Sequence, residues 1–453
     1  MFLEYDYVII GSGPAGSTLA YLLSKKKFKI AIIDRADYKN FKINNYHNPY
    51  IAEFSKNYLP LFSNKIGGNS ALWHNKIYLL TKDEFDEGKW KFKYDILRKF
   101  SEDLAKKLNI NHDNFKIEKD KINFSQSYRS SINNVYDYLK INELKNVHLY
   151  KNTSPIKILF KKKVANQVIV KSIDKKIDIK ININKSIIFC AGGLGNPHLL
   201  LNLLERGETL VNIKDHPHIK IGKINKINKF IEFGKFFITG KYIEKNIFIK
   251  NKLFSGIQLS CLSAHDKILD LKKIYIRQDN LINKFFTIFL IANVFIFYKL
   301  YFYVQKKLNR FNYCFEFFFS QNNNNNCINL NNKITDKFGL RKINIKWKTS
   351  AIEKKYYNLI INKFFKINKI LNLKKESFNE SNIYVGLHPS CSTPISNEKK
   401  SLSVDKNLKV LDYKNIYVCG SSVFPENGFT NPTWTIMVLA NRLAQYLIKK
   451  KIY

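Results

Sequence analysis

A strand, a glycine-rich turn, a helix and a second strand follow one another at the N-terminus, and this succession constrains the fold most. Residues 5–10 are mostly β-branched and aromatic, as strands are, and they run directly into Gly-Ser-Gly-Pro-Ala-Gly at residues 11–16. Residues 17–24 favour a helix, and residues 29–33 favour a second strand that ends at Asp34. A glycine turn in this context, with an acid about 20 residues further on, predicts a Rossmann-like unit that binds a dinucleotide.

The three glycines of this first turn have separate expected roles. Gly11 allows the tight turn, Gly13 lets the backbone approach a pyrophosphate, and Gly16 lets the helix pack on the strand. The carboxylate of Asp34 can accept a hydrogen bond from a ribose hydroxyl. The alternative is a glycine-rich turn that holds no ligand.

Glycine turns recur at three further places in the chain. Residues 67–70 read Gly-Gly-Asn-Ser, a composition that allows close backbone approach to a flat or anionic group. The apolar strands expected at 187–190 and 416–419 run into Ala191-Gly192-Gly193 and Gly420-Ser421-Ser422. Because the third turn leads into a Leu-rich helix, we expect the chain to return there to a nucleotide-type sheet. Short strands with Lys-rich turns predict a meander over residues 147–189.

The C-terminal stretch carries a helix start and a lone histidine. Asn431 is expected to cap the helix and Pro432 to occupy its first position, where a missing N–H costs nothing. The N-terminus of a helix offers free N–H groups and partial positive charge, which suit developing negative charge on a cofactor or substrate oxygen. His388 lies upstream in a loop of Pro, Ser, Cys and Thr.

Length and composition limit the classes of protein. A chain of 453 residues with 45% apolar side chains fits two globular domains rather than one core. The net charge of +40 comes mostly from lysine, since only eight of the 76 basic residues are arginine, and the lysines are spread along the chain. We therefore expect no specific nucleic-acid partner, although attraction to anionic surfaces, including membranes, follows from the charge.

The six cysteines show neither a CxxC pair nor zinc-ligand spacing, so we expect free thiols in a reducing compartment and no metal site. The chain enters a strand by Tyr5 without a signal-peptide pattern, which predicts a cytoplasmic protein. Residues 285–304 form the longest apolar run. A buried helix, a helix lying on a membrane surface and a membrane-spanning helix are the three alternatives for it.

Together, the four glycine turns, the histidine loop and the Asn-Pro helix start resemble the GMC (glucose–methanol–choline) oxidoreductases, FAD-dependent enzymes that act on alcohols. The Gly-Gly-x-Ser-x-x-Trp form and the Asn before the last helix resemble most the sugar-oxidising, pyranose-oxidase-like branch. The resemblance implies a Rossmann-like FAD-binding domain and an α+β substrate domain built on an antiparallel sheet. We expect residues 1–80, 140–220 and 381–453 to form the discontinuous FAD-binding domain, and residues 81–139 and 221–380 to form the substrate-binding domain.

In this family a His and a second His or Asn face the flavin, and here they fall on His388 and Asn431, 43 positions apart. A neutral imidazole is a suitable base for the hydroxyl proton of an alcohol, while hydride leaves for flavin N5. The Asn431 amide can hold the same oxygen by a hydrogen bond. The alternatives are an ordinary loop histidine and an Asn that only caps the helix.

The resemblance also implies a set of FAD contacts. They are Gly11, Ser12, Gly13, Pro14, Ala15, Gly16, Asp34, Arg35, Gly67, Gly68, Ser70, His74, Asn75, Ile156, Ala191, Gly192, Gly420, Ser421, Ser422, Asn431, Pro432 and Thr433. Leu72 stands where some sugar oxidases carry the histidine that bonds to flavin, so we expect non-covalent FAD, with His74 as a rival attachment point. Gly420 stands where many members carry Asp, so the contact there is expected from backbone.

The sequence thus predicts an enzyme that oxidises a CH–OH group of a sugar, polyol or glycoconjugate and passes the electrons to an acceptor that it does not specify. The alternative function is a flavin-binding protein without alcohol oxidation, of a lyase-type or degenerate kind, held at a membrane by residues 285–304.

Overall fold

A computed structural model gives the fold. It describes residues 3–36, 51–55, 62–72, 76–110, 124–126, 128–129, 132, 134–204, 209–224, 236–239, 255–261, 313–321, 324–367, 383–397 and 402–450. The apolar run at 285–304 lies outside these residues. Of the helices within the described ranges, none has the length and apolar content needed to cross a membrane.

The described residues form nineteen strands and seven α-helices. The strands are β1 (Leu3–Ile10), β2 (Ile30–Ile33), β3 (Ile51–Phe54), β4 (Lys76–Ile77), β5 (Phe124–Gln126), β6 (Tyr128–Arg129), β7 (Val147–Tyr150), β8 (Thr153–Lys161), β9 (Val164–Ser172), β10 (Ile177–Phe189), β11 (Val211–Asn212), β12 (His218–Ile224), β13 (Phe236–Thr239), β14 (Ser255–Cys261), β15 (Tyr313–Phe319), β16 (Cys327–Thr335), β17 (Arg341–Lys346), β18 (Ile383–Tyr384) and β19 (Ile416–Val418). The helices are α1 (Pro14–Ser24), α2 (Lys82–Glu87), α3 (Tyr94–Lys107), α4 (Val135–Tyr138), α5 (Gly192–Leu203), α6 (Ala351–Ile367) and α7 (Thr433–Lys449).

The central sheet has seven strands in the order β7-β2-β1-β10-β9-β8, with β19 also paired to β10. Strands β7, β2, β1, β10 and β19 run parallel, and β10, β9 and β8 form the antiparallel meander that the sequence predicts. In register, Ile10 lies beside Phe189, and Phe189 beside Val418. Since three parallel strands end at the same edge, the glycine turns that follow them meet there, where α/β sheets bind ligands.

Three further sheets complete the fold. A six-stranded antiparallel sheet has the order β18-β12-β15-β14-β13-β5, and a four-stranded sheet has the order β11-β16-β17-β3. Strands β4 and β6 form a two-stranded sheet. The mixed α/β fold with a Rossmann-like unit and a second, sheet-based part is the predicted fold class, and the exact domain boundaries stay a prediction.

The C-terminal helix closes the core of the central sheet. α7 packs against α1 and α3, and its inner face is fully buried from Trp434 to Leu447. The Trp434 indole N–H donates to Ser101 Oγ at 2.8 Å, which satisfies the one polar atom of that buried ring. Both ends of the chain therefore share one core, because β1 and β19 flank β10 while α1 and α7 lie together.

The structure corrects one expectation about this helix. Helix α7 begins at Thr433, and Pro432, already near helical angles with φ −79° and ψ −16°, occupies the capping position without a side-chain hydrogen bond. The prediction that Asn431 caps the helix is therefore wrong, because Asn431 lies one residue too early. Helix α5 begins at Gly192, inside the third glycine turn.

Candidate active site

The four glycine turns contact one another along one edge of the central sheet. The Gly67 N–H donates to Ser12 Oγ at 2.9 Å, which joins the second turn to the first. A Cβ on Gly11 would lie 2.6 Å from the Cys190 carbonyl oxygen, so the first turn packs directly on the third. A Cβ on Gly420 would lie 3.7 Å from Gly192 Cα, which brings in the fourth.

Two glycines of this edge could carry a Cβ without a steric clash with the described chain. A Cβ on Gly13 would have the Gly67 carbonyl oxygen, 4.0 Å away, as its nearest neighbour in the described chain. Gly192, at φ +78°, would meet no described atom within 4 Å. Gly16 is different, since a Cβ there would lie 1.9 Å from the Gly11 carbonyl oxygen. Packing explains Gly16, whereas Gly13 and Gly192 leave room for a ligand against the backbone, as a pyrophosphate requires.

Asp34 holds the first turn from the end of β2. Its carboxylate accepts the N–H groups of Ser12 at 2.6 Å and Ala36 at 2.7 Å. Burial raises the pKa of this carboxyl above its usual range, and the hydrogen bonds from Ser12 and Ala36 act in the opposite direction. The predicted ribose acceptor therefore also has a structural role in the turn.

Arg35 points its guanidinium away from the turn. Nε donates to Ser154 Oγ at 2.9 Å, and Nη1 pairs with the buried Asp336 carboxylate at 2.8 Å. Ile156, two residues beyond Ser154 in β8, is half-buried. The predicted FAD contacts of Arg35 and Ile156 stay predictions.

The remaining predicted contacts divide into three groups. Ser70 Oγ donates to the Gly67 carbonyl at 2.6 Å and accepts the Val135 N–H at 3.2 Å, so it braces the second turn. Pro14 and Ala15 open helix α1. His74 and Asn75 lie outside the described residues.

The fourth turn is held by its own serines. Ser422 Oγ accepts hydrogen bonds from Asn196 Nδ2 and Thr393 Oγ1, both at 2.8 Å. The other end of the same amide, Asn196 Oδ1, accepts the Ala191 N–H at 2.7 Å. Ser421 Oγ donates to the Pro389 carbonyl at 2.7 Å. Ser422, through Asn196, thus fixes the third and fourth turns relative to each other, and Ser421 joins the fourth turn to the segment that carries Pro389.

The loop of residues 386–393, called the His388 loop below, docks on these same two turns. A Cβ on Gly193 would lie 1.9 Å from the Pro389 carbonyl oxygen, so only glycine permits this approach. Ser392 Oγ donates to the Gly193 carbonyl at 2.7 Å, and the Thr393 N–H donates to the Ser422 carbonyl at 2.8 Å. The predicted base therefore lies on a loop that is built onto the predicted cofactor edge.

A fully buried carboxylate shapes the tip of the His388 loop. Asp215, 0% exposed, accepts the N–H groups of His216 at 2.8 Å, Gly386 at 3.0 Å and His388 at 3.1 Å. Three N–H donors on one carboxylate are strong, directional contacts. They fix the backbone of His388 relative to His216.

Three histidines gather at this point. His388 Nδ1 is hydrogen-bonded to His216 Nε2, and the ring of His218 stacks on His388 with centroids 5.8 Å apart. Ligand nitrogens from all three rings lie within 4.8 Å of one another. Three imidazoles form a ligand set that can bind a transition metal. The same contacts suit a hydrogen-bonded cluster of imidazoles, and the sequence predicts no metal site.

Burial holds the pKa of His216 well below its usual range, and the nearby His388 and His218 rings lower it further. The Gly428 carbonyl acts in the opposite direction. His216 is therefore a neutral imidazole at pH 7.

Asn431 lies one residue before the cap of α7 and has an unused acceptor. Its Oδ1 is buried and has no hydrogen-bond partner within the described part of the chain. The turn that leads to it contacts the histidine cluster, because Asn427 Nδ2 donates to the Asp215 carbonyl at 2.6 Å and Gly428 lies beside His216. A buried, unpaired amide oxygen costs free energy unless a ligand satisfies it, so Asn431 fits a binding role.

Sequence reasoning missed Asp215, His216, His218 and Glu84, all buried and all in contact with the His388 loop or with the residues before Asn431. The Asp-His-Pro-His string at 215–218 was the available signal, since a buried acid beside two histidines is unusual.

Comparisons with known proteins agree with this arrangement. Residues 323–440 match the family model of GMC oxidoreductases, and residues 9–53 match that of an NAD(P)-binding Rossmann-like domain. One curated relative, an uncharacterized protein of Methanosarcina barkeri, is 49% identical over 39 residues. That match spans 9% of this chain and 10% of the relative.

Solved structures match over nearly the whole chain. Pyridoxine 4-oxidase from Mesorbium loti has a TM-score of 0.65 at 11% identity, covering 99% of this chain and 100% of that one. Formate oxidase from Aspergillus oryzae has a TM-score of 0.63 at 11% identity, with 98% of each chain covered. An FAD-dependent oxidoreductase from Chaetomium thermophilum, in complex with a fragment molecule, has a TM-score of 0.61 at 16% identity, covering 98% and 99%.

These identities establish a shared fold, and the family models match residues 9–53 and 323–440. The resemblance to GMC oxidoreductases is confirmed, while the sugar-oxidising branch stays a prediction. The chain thus matches a Rossmann-like domain near its N-terminus and the GMC oxidoreductases in its C-terminal region.

Proposed function

We propose that this protein is an FAD-dependent oxidoreductase that oxidises a CH–OH group of a sugar, polyol or glycoconjugate. Two kinds of support converge on this proposal. The GMC family match and the FAD-dependent structural neighbours imply FAD as the cofactor and oxidoreduction as the reaction class. The docking of the His388 loop onto the third and fourth glycine turns is the observation that carries the proposal, because it joins a base to a cofactor edge.

The residues at this edge fit FAD. The first turn opens helix α1, whose free N–H groups suit a pyrophosphate. Gly13 lacks a side chain that would lie between the ligand and the backbone, and the space beside Gly192 is open. FAD, when bound, supplies the hydride acceptor. We expect it to be held without a covalent bond.

His388 takes the proton of the substrate hydroxyl. The Gly428 carbonyl beside His216 can only accept, so it favours a hydrogen on the His216 nitrogen that faces it. A neutral His216 with that hydrogen offers Nε2 as an acceptor for the Nδ1–H of His388. The tautomer of His388 that results carries its lone pair on Nε2, which becomes the proton-accepting atom.

Asn431 orients the substrate. Its amide nitrogen can donate to the reacting oxygen, and its unpartnered Oδ1 can accept from a second hydroxyl. A substrate with neighbouring hydroxyl groups would satisfy both atoms, which supports a sugar or polyol over a simple alcohol.

Two spectroscopic measurements test the proposal. The purified protein should absorb as a flavoprotein, and acid precipitation should release the flavin into the supernatant. Under anaerobic conditions, at least one sugar or polyol in a panel that includes simple alcohols should bleach the flavin. Because the assay omits the acceptor, it does not depend on whether oxygen, a quinone or a protein takes the electrons.

Absence of flavin would contradict the whole proposal. Bound flavin that no alcohol in the panel bleaches would favour the alternative, a flavin-binding protein without alcohol oxidation.

A further inference from the structure

Glu84 occupies a position that its sequence context does not explain. Thr81 and Glu84 have the spacing of a helix capping box, and both reciprocal hydrogen bonds of that motif are present at the start of α2. A capping glutamate on the surface needs no further partner. Glu84 is only 4% exposed, and its neighbours Asp86 and Glu87 in the same short helix are exposed.

The buried carboxylate binds a second segment, 345 residues away in sequence. Oε1 accepts the N–H groups of Phe429 at 2.8 Å and Thr430 at 2.9 Å, and Oε2 accepts the Thr430 hydroxyl at 2.6 Å. The capping contacts use Oε2 as well, from the Thr81 N–H at 2.9 Å and its hydroxyl at 3.0 Å. Capping therefore accounts for the Thr81 contacts but not for the three that reach residues 429 and 430.

The bound segment is shaped around this carboxylate. Gly428 has φ +58°, and a Cβ on it would lie 2.5 Å from Glu84 Oε1. A side chain at residue 428 would thus meet both backbone strain and a clash with the carboxylate. Within the described residues, no basic side chain forms an ion pair with Glu84. The carboxylate instead accepts hydrogen bonds from N–H and O–H groups.

The next residue after this segment is Asn431, whose Oδ1 has no described partner. From these contacts we infer that Glu84 is a positioning residue for Asn431. Its carboxylate holds the turn of residues 428–430 so that the Asn431 amide points into the substrate site. The contact is the counterpart of Asp215, which holds the backbone of His388 in the same way.

This inference rests on the proposed function for its catalytic consequence, but not for its structural one. Two measurements distinguish the structural role of Glu84 from its effect on catalysis. Hydrogen exchange of the FAD-loaded protein reports on the turn whether or not an alcohol is oxidised. The anaerobic rate of flavin reduction reports on catalysis.

The main variant is Glu84→Gln, which keeps the size of the side chain but places an N–H₂ against groups that donate. Thr430→Val removes only the hydrogen bond from the Thr430 hydroxyl to Glu84. It is the second test variant if Glu84→Gln folds poorly. We expect both to speed exchange of the amides at 429 and 430, by about tenfold for Glu84→Gln, since charge-assisted bonds are the strong ones. FAD should stay bound, and flavin reduction should slow by about tenfold.

Two controls isolate the claim. Thr81→Ala removes only capping contacts, and we expect it to speed exchange in α2 while leaving 429 and 430 within about twofold of wild type. Glu87→Gln removes an exposed carboxylate of the same helix and should change neither readout.

A double-mutant cycle decides whether Glu84 acts through Asn431. In an Asn431→Ala background, Glu84→Gln should slow flavin reduction by less than about twofold further, because the group that it positions is gone. Fully additive losses would overturn the inference, as would a Glu84→Gln protein in which exchange changes only in α2. If wild-type flavin is not reduced by any alcohol, the proposed function fails, and the exchange experiment still shows whether Glu84 holds the turn.

Discussion

Gly13 and Gly67 lie side by side with room for one methyl group, because a Cβ on Gly13 would meet the Gly67 carbonyl oxygen at 4.0 Å, an ordinary van der Waals distance. Gly13 also has φ −63° and ψ −173°, which alanine adopts without strain. The protein itself therefore does not require glycine here. A ligand that lies against the backbone does.

Gly13→Ala accordingly tests the FAD edge. We expect the variant to fold normally and to bind FAD at least about tenfold more weakly, equivalent to about 1.4 kcal/mol. Fluorescence titration with FAD measures the dissociation constant. Gly16→Ala is the contrast, since its Cβ would lie 1.9 Å from a backbone oxygen and should destabilise the fold itself by about 1–3 kcal/mol. An unchanged FAD affinity in Gly13→Ala would place the pyrophosphate elsewhere.

The neutral state of His216 predicts a pH dependence of stability. Its pKa in the folded protein lies well below the 6.5 of an ordinary histidine, so below about pH 6.5 the unfolded chain binds a proton that the folded protein does not. The free energy of unfolding should therefore fall as the pH falls, by up to about 1.4 kcal/mol per pH unit for this group. Above pH 6.5 both states are neutral and this group contributes no slope.

His198 adds a second contribution of the same sign, because burial and the nearby Arg35 charge hold its pKa well below the usual range. Urea unfolding between pH 5 and 8 measures how the free energy of unfolding depends on pH. In His216→Gln this slope should be smaller by the contribution of one titrating group, and the contribution of His198 should remain. Identical slopes in the two proteins would mean that folding does not change the pKa of His216, which would contradict its burial as a neutral ring.

The Arg35–Asp336 pair predicts a loss of stability rather than of cofactor. The Asp336 side chain is 1% exposed, and it also accepts the N–H groups of Phe338 at 2.9 Å and Leu340 at 3.0 Å. Asp336→Asn leaves a mostly buried guanidinium without its counter-charge, so the free energy of unfolding should fall by about 3 kcal/mol. FAD affinity should change by less than about twofold.

The matched control is Glu143→Gln, which breaks the exposed Lys140–Glu143 pair and should cost less than about 1 kcal/mol. A large loss of FAD affinity in Asp336→Asn would indicate that Arg35 acts at the cofactor, as the sequence predicts.

Local signals account for the parts of the fold that the sequence predicts well. The first glycine turn, its strand and its helix lie within 24 residues, and the third turn leads equally directly from its strand into its helix. Turn chemistry of this kind depends on neighbouring residues, so it can be read without tertiary contacts. The meeting of the turns follows from parallel strands that end in register.

The residues that support the site depend on distant contacts. Thr81 and Glu84 have the sequence pattern of a helix cap, and nothing local indicates that the same carboxylate binds residues 429 and 430. Asp215 reaches His388 across 173 positions. The Asn431 error was local, because the helix starts two residues after it, and Asn-Pro is a common start signal that does not fix the first turn.

The most direct test of the account is anaerobic reduction of bound flavin in His388→Ala, with the best substrate from the panel. We expect a yellow, FAD-loaded protein whose rate of flavin reduction falls by about 10²- to 10⁴-fold, because the proton acceptor is lost. His148→Ala, an exposed histidine of β7, serves as the control and should reduce at the wild-type rate. A His388→Ala protein that reduces its flavin within a few-fold of wild type would contradict the assignment of His388 as the base.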